Sequence, residues 1–271
     1  MRRSILMALS GWFLTASLSA DEPIMNMMPR WDDGWGYQFI EEYRHESDLL
    51  LGSRALHPGY TEDVHLLHFQ SVYTWDKSIR LTAKLPYVLD ARREMPDGSG
   101  GKRIEHDNGI GDATLALPLK KYFNLDGKSG SLTFKPMLRV PFSGTDDYEI
   151  YDNQWGNGLG LGYEYETAKF HVHVSTSGWV YHGNEPFESW STIDLGYNFN
   201  AWNSNGALMW ETDFHYEDDG SETLMAGPAL YWNINDTAHF RIEWKHDFHD
   251  RQGVMDHGNG DVFKFSLGFV F

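Results

Sequence analysis

Cysteine is absent from the 271 residues. No disulfide can staple the fold, so stability has to come from a large core or from an unbroken hydrogen-bond network. No apolar run is long enough to cross a bilayer as a helix, which takes about 20 residues for a hydrocarbon layer of about 30 Å. The mean hydropathy of −0.50 agrees, and an inner-membrane helical protein is excluded. Positive charge is scarce. Lys and Arg number 22 against 39 Asp and Glu, a net charge of −17, which argues against a nucleic-acid partner. Helical periodicity is missing as well, because no long stretch places apolar residues every three to four positions.

The N-terminus reads as a signal peptide over residues 1–20. Arg2 and Arg3 form a positive head, residues 5–18 are mostly apolar, and Ser19 and Ala20 precede a cleavage site before Asp21. A cut after Ser19 is the rival site. A membrane anchor is the alternative reading, for which the run is too short. Residues 21–34 form a lead-in segment, and 35–271 form the main domain.

Aromatic residues and glycine are plentiful: 15% of the chain is Phe, Trp or Tyr, and Gly numbers 27. Aromatic girdles and glycine-kinked strands account for both. From Tyr37 onward the chain alternates with period two. The last segment is the clearest. Phe263, Phe265, Leu267, Phe269 and Phe271 occupy every second position, with Val262, Lys264, Ser266, Gly268 and Val270 between them. Side chains alternate faces along a strand, so one face is apolar and the other mostly small or polar. A barrel strand between lipid and water needs this pattern. A sandwich strand would show it too, but here the chain ends on the strand itself. The terminal Phe271 resembles the C-terminal assembly signature of outer-membrane barrels.

The same alternation recurs from Ile79, Leu132, Leu159, Phe170 and Phe240, and more weakly near Tyr37, Val64, Ile110, Ser189, Ala207 and Thr223, giving twelve strands. Glu41 and His65 interrupt the first two, so bulges or another register are expected there. Short connections (75–78, 124–130, 167–168, 201–206, 233–237) alternate strictly with longer or more charged ones (46–63, 90–108, 143–156, 182–186, 217–222, 249–260). Transmembrane barrels have short periplasmic turns and longer outer loops. The expected fold is therefore all-β: a closed antiparallel transmembrane β-barrel of about twelve strands in the outer membrane of a Gram-negative bacterium. Tyr73, Trp75, Tyr122, Phe123, Tyr197, Phe199, Tyr231 and Trp232 are expected in the inner aromatic belt, and Tyr87, Trp179, Tyr181 and Tyr216 in the outer one.

Three stretches carry a family resemblance: Leu85-Pro86-Tyr87; Asn108-Gly109-Ile110-Gly111-Asp112; and the run from Lys135 through Pro136 and Arg139 to Gly144, followed by Gly156-Asn157-Gly158-Leu159-Gly160. Their order and spacing are similar to the outer-membrane transporter-like family labelled "meta-pathway of phenol degradation". The resemblance covers roughly residues 37–271. It implies passage of aromatic or other small hydrophobic compounds and carries no catalytic residues.

Parity directs Arg80, Lys84, Lys135, Arg139, Arg241, Lys245 and Lys264 inward, with Asp112, Glu164, Glu166, Asp194, Glu211, Asp213, Glu243 and Asp247. Together with His171 and His173 such residues could line and bind in a selective pore, or they could zip the lumen shut. His173 and Ser175 share a face, and Asp194 is a candidate orienter. The pair resembles the His-x-Ser arrangement that outer-membrane lipid hydrolases use, although the flanking residues do not match those families. Glu164 is expected beside His171. The acidic loops (Asp146, Asp147, Glu149 and Asp152; Glu217, Asp218 and Asp219) could hold a divalent ion but match no EF-hand spacing, and the loop histidines His106, His249 and His257 form no compact ligand pattern; Met25, Met27 and Met28 could bind a soft metal, against the reading of a disordered lead-in. The glycine run 156–162 lacks the strand-then-helix context of a nucleotide loop; Gly160 and Gly162 are expected instead to make room for aromatic neighbours or to let the strand bend. No cofactor is implied. The expected partners are membrane lipid and lipopolysaccharide, the barrel-assembly machinery through the last strand, and a small solute. The expected activity is a channel for passive passage of small solutes, with a lipid hydrolase or a structural or adhesive barrel as alternatives.

Overall fold

The computed structural model describes residues 33–51, 54–97, 101–125, 128–142, 150–151, 153–183, 185–201, 204–252 and 255–271. The signal peptide, nearly all of the lead-in with its three methionines, and the acidic residues Asp146, Asp147, Glu149 and Asp152 lie outside them.

The strands are β1 (Gly34–Leu51), β2 (Arg54–Asp76), β3 (Ile79–Pro96), β4 (Lys102–Ile110), β5 (Ala113–Ala116), β6 (Leu119–Leu125) and β7 (Lys128–Val140). They continue as β8 (Gly156–Glu166), β9 (Phe170–Tyr181), β10 (Glu188–Ala201), β11 (Ser204–Glu217), β12 (Ser221–Asn233), β13 (Ala238–Gln252) and β14 (Met255–Val270). Segments β4, β5 and β6 are successive pieces of one stave. Both β5 and β6 pair with β7, and the ladder between them is carried by a bond from Leu117 N to the Pro136 oxygen at 3.0 Å. The break falls at Pro118, which has no N–H to give. Counted this way the barrel has twelve staves. Each pairs antiparallel with its sequence neighbours, and β1 pairs with β14 to close the ring.

Exposure is inverted relative to a soluble protein. Phe263 and Phe265 are 48% and 46% exposed, whereas Lys264 between them is 5% exposed. An outer face of phenylalanines around a buried lysine is stable only where the outside is hydrocarbon. Tyr73, Trp75, Tyr197 and Tyr87 lie on that outer face. Trp179, Tyr181 and Tyr231 do not. They are 2%, 8% and 9% exposed and point into the lumen, contrary to the expected belts. Neighbours such as Tyr231 and Trp232 must take opposite faces.

Two further expectations change. Three of the charged stretches read as outer loops (46–63, 90–108 and 249–260) are largely paired strand: β1 and β2 stay paired to Leu51 and Arg54, with register shifts between Ser47 and Leu50, and β13 and β14 to Gln252 and Met255. The asymmetry of the two ends resides in ladders that overrun the bilayer. Glu41 creates no bulge, since its outward carboxylate meets His65 Nε2 at 3.0 Å. A register shift does occur at His65 and Leu66, in their pairing with β3.

Inward-facing Gly156, Gly158, Gly160 and Gly162 form a stripe on β8 with differing duties. A Cβ on Gly158 would sit 2.7 Å from the Trp179 ring, whereas one on Gly162 meets nothing nearer than 3.6 Å. We expect Gly158→Val to lower stability by about 1–3 kcal/mol through overpacking, and Gly162→Ala to stay within about 0.5 kcal/mol of the parent. Urea unfolding of barrels refolded in vesicles measures both. Equal losses would show that the stripe does not act through packing.

Candidate functional site in the barrel lumen

Strand parity alone brings the charged residues together. Every second residue faces inward, and the closed ring converges those faces on one axis. Arg80, Lys84, Lys135, Arg139, Glu164, Glu166, His171, His173, Arg241, Glu243 and Lys245 all stand on the lumen side, alternating with exposed apolar residues.

The lumen has two unlike walls. Around the β1–β14 seam the charges interlock. Arg241 donates to both oxygens of Glu211 at 2.5 and 2.6 Å and to Glu243 at 2.7 Å. Lys245 contacts Asp213 at 2.5 Å, Glu243 at 2.7 Å and Glu211 at 3.3 Å. Lys264 lies 3.5 Å from Glu42, which also holds His68 at 3.0 Å and pairs with Arg44. Glu42 and Glu211 are each 2% exposed, so this wall is zipped and excludes water. Glu42, Arg44 and His68 are absent from the lumen set expected above, although the parity of β1 and β2 is enough to place them there.

The opposite wall, on β3 and β5–β9, is predominantly basic and looser. A cavity of about 70 Å³ opens there, in the periplasmic half, lined among others by Arg80, Lys120, Lys135, Glu164, His173 and Ser175. Lys120 donates to Glu164 at 2.7 Å, and Ser131 does so at 3.0 Å. His173 Nδ1 lies 2.9 Å from Asp194 Oδ2. A carboxylate accepts, so Nδ1 is the donor in this contact. Glu164 pairs with His173, not with His171 as expected. Thr167 N bonds the Phe170 oxygen at 2.7 Å, so the hairpin turns on Ala168 and Lys169, and a one-residue shift of the turn moves the register by two.

Toward the outer end the lumen is aromatic. Ile150 and Tyr151 are buried against Val64, Leu66, Val88 and Ala91. The Ile150 N–H donates to Asp107 at 3.0 Å. A Cβ on Gly111 would lie 2.3 Å from the Tyr151 ring, so only glycine admits that ring. Arg139 stacks on Tyr181 at 4.7 Å and on Trp179 at 5.5 Å. Trp190 stacks on His215 at 4.1 Å. Nothing in the sequence pattern reveals the insertion of Ile150 and Tyr151, whose segment reads as an acidic loop.

Other candidate groups resolve differently. Asp218 and Asp219 accept backbone N–H bonds from Phe187 and Ser221 at 3.1 and 2.8 Å, as turn anchors. His249 faces Glu222 at 3.7 Å, His106 is exposed, and the side chain of His257 is outside those described. Carboxylates of Glu46, Asp247 and Asp250, from β1 and β13, gather within 4.8 Å of one another, a grouping that no spacing announces.

The family model described as "Putative MetA-pathway of phenol degradation" matches residues 51–265. The chain belongs to that family. All three stretches that suggested it lie inside the match, and the fold explains their company. Pro86 accepts the Gly111 N–H at 3.0 Å, Asp112 accepts the Phe142 N–H at 3.0 Å, and Pro86 and Gly111 flank Tyr151. The family motifs thus frame the inserted segment. No curated protein matches the sequence. Among solved structures, the COG4313 outer membrane channel from Pseudomonas putida F1 superposes with a TM-score of 0.70 at 14% identity, covering 93% of this chain and 99% of that one. The CymD monoaromatic hydrocarbon channel gives 0.47 at 8%, covering 89% of each chain. The toluene transporter TbuX of Ralstonia pickettii gives 0.44 at 10%, covering 87% and 89%. With the inverted exposure, the family and the barrel place the protein in the outer membrane of a Gram-negative bacterium.

Removing Lys245 would leave Arg241 facing Glu211 and Glu243 with one cation fewer among the three acids out of water. Lys245→Met is expected to cost about 3–5 kcal/mol. The urea midpoint of the refolded barrel reads this, and an unshifted midpoint would mean that the wall is hydrated.

Proposed function

We propose that the barrel is a passive channel for small solutes, aromatic or hydrophobic ones among them. One observation carries the reading: the lumen is graded, with aromatic side chains at its outer end and a cavity among unlike charges nearer the periplasm. A purely structural or adhesive barrel has no need of a cavity on one wall when the other is zipped. Tyr151, Trp179, Tyr181 and Trp190 make that end aromatic and apolar, an environment suited to an entering ring. The charged residues beneath them would set selectivity. A family described by phenol degradation is in keeping with solutes of that class. Phe271, directly after the last strand, is the residue we assign to recognition by the assembly machinery, with lipid and lipopolysaccharide around the outer face.

We read the protein as no enzyme. His173 and Asp194 are paired as a hydrolase would need, and Ser175 is close by. However, Ser175 lies mid-strand, paired with Gly162 on one side and Thr192 on the other. The neighbouring N–H groups serve the ladder and form no oxyanion hole. The site also faces the lumen, where no bilayer lipid can reach it.

In planar bilayers the protein should give small, discrete conductance steps. Replacing Ile150 and Tyr151 by serine should raise the step at least about twofold by widening the outer constriction. A parent and a double variant that are both silent would end the channel reading. With p-nitrophenyl acetate, parent and His173→Ala should be equally inactive; hydrolysis lost in the variant would restore the hydrolase.

A further inference from the structure

The cavity on the basic wall contains more binding capacity than the protein itself uses. Three cations, Arg80, Lys120 and Lys135, line it against a single carboxylate, Glu164, which is already engaged by Lys120 and Ser131. Lys135 makes no ion pair or hydrogen bond among the described residues. Elsewhere in the lumen Lys245 and Arg241 each contact two or more acids, so Lys135 departs from the rule of its own barrel. Hydroxyls are also left over. Thr133, Ser175 and Ser177 line the same cavity and have no protein partner among the described residues. Ammonium and hydroxyl donors converging on one space suit an anion with several acceptor lone pairs.

Size narrows the class. The volume of about 70 Å³ is less than half of the roughly 150 Å³ at which an apolar cavity takes up benzene, which favours a short-chain group over a ring. Val72 and Pro118 supply an apolar side, and Gly160 and Gly162 leave the β8 wall flat beside it. Bare Gly162 keeps the space open, since its nearest neighbours, Thr133, Ser175 and His173, lie 3.6–3.8 Å from where a Cβ would be.

We infer that this cavity is a binding site for the carboxylate of a short-chain organic acid, with Lys135 as the principal cation and Thr133 and Ser175 as hydroxyl donors. This deepens the channel reading and rests on it, because the solute must enter through the lumen. It assigns one step of the path to an acid head group, below the aromatic outer end.

Saturation-transfer NMR of the full mature barrel in detergent, with propionate and its neutral isostere propionamide as probes, tests the site. Propionate should receive saturation at millimolar concentration, and propionamide should bind at least about tenfold more weakly, since it lacks the charge that strengthens each hydrogen bond. Lys135→Met should weaken propionate at least about tenfold, whereas Lys135→Arg should stay near the parent. Gly162→Val, which fills the space and removes no charge, should abolish the signal. A heat-induced gel shift identifies folded variants, and the comparison of the two probes on the parent needs no variant. Equal binding of both probes, or a Lys135→Met barrel that binds like the parent, would overturn the site. A parent that conducts in bilayers and ignores propionate ends this inference alone. A parent that binds propionate while it and the Ile150 and Tyr151 double variant are both silent in bilayers ends the channel reading alone.

Discussion

Everything in this molecule follows from the cost of an unpaired backbone amide in hydrocarbon, which is several kcal/mol for each group. A strand at a free edge would carry a row of them. The β1–β14 ladder, running from Gly36–Val270 to Leu50–Asp256, removes that edge. Once the ring is closed, the pleat assigns every other side chain to lipid and the rest to an enclosed space. The polar face of each strand then has nowhere to go but inward, and the acidic composition becomes a problem of packing charges in a tube.

The two walls solve that problem differently. At the closing seam, acids and bases alternate at neighbouring positions of β1, β11, β13 and β14, and each finds partners without moving. Such pairs contribute little net stability, since desolvation offsets attraction. What they give is a rigid, dry wall beside the seam on which closure depends. On the other wall the ladder itself is weaker. Pro118 and Pro136 donate no backbone hydrogen bond, and β8 presents four glycines where other staves present bulk. Space and unspent donors therefore collect in the same place, and the cause is local sequence.

Much of this is legible in the sequence. The period-two pattern from Phe263 to Phe271 dictates an inside-out strand, and the face of each charged residue follows from counting. Where counting gives way to proximity, the expectation fails. The parity that sends His171 and His173 inward also sends Trp179 and Tyr181 inward, yet nearness to a strand end suggests a belt for both. The expected pairing of Glu164 with His171 fails because a turn on Ala168 and Lys169 cannot be told by sequence from one on Thr167 and Ala168. The burial of Ile150 and Tyr151 is beyond reach altogether. It depends on a space under Pro86 and Gly111 that exists only after β3 and β4 have paired. The cavity is invisible for the same reason: it is the volume left over when six staves have placed their side chains.

The family motifs gain a physical meaning from this last point. Pro86 and Gly111 form the frame into which Tyr151 fits, and a side chain at Gly111 would displace that ring. The motif residues Arg139, Gly156 and Gly158 hold Trp179 and Tyr181 flat against the same end of the tube. In this chain the residues of the family motifs build the aromatic outer end. Lys135 sits on the same β7 stretch as Arg139, four residues nearer the periplasm and thus on the same face, but among the described residues it pairs with no aromatic ring and no acid. The stave that helps build the aromatic end therefore also carries Lys135 below it, so that a solute passing the aromatic end meets the basic wall next.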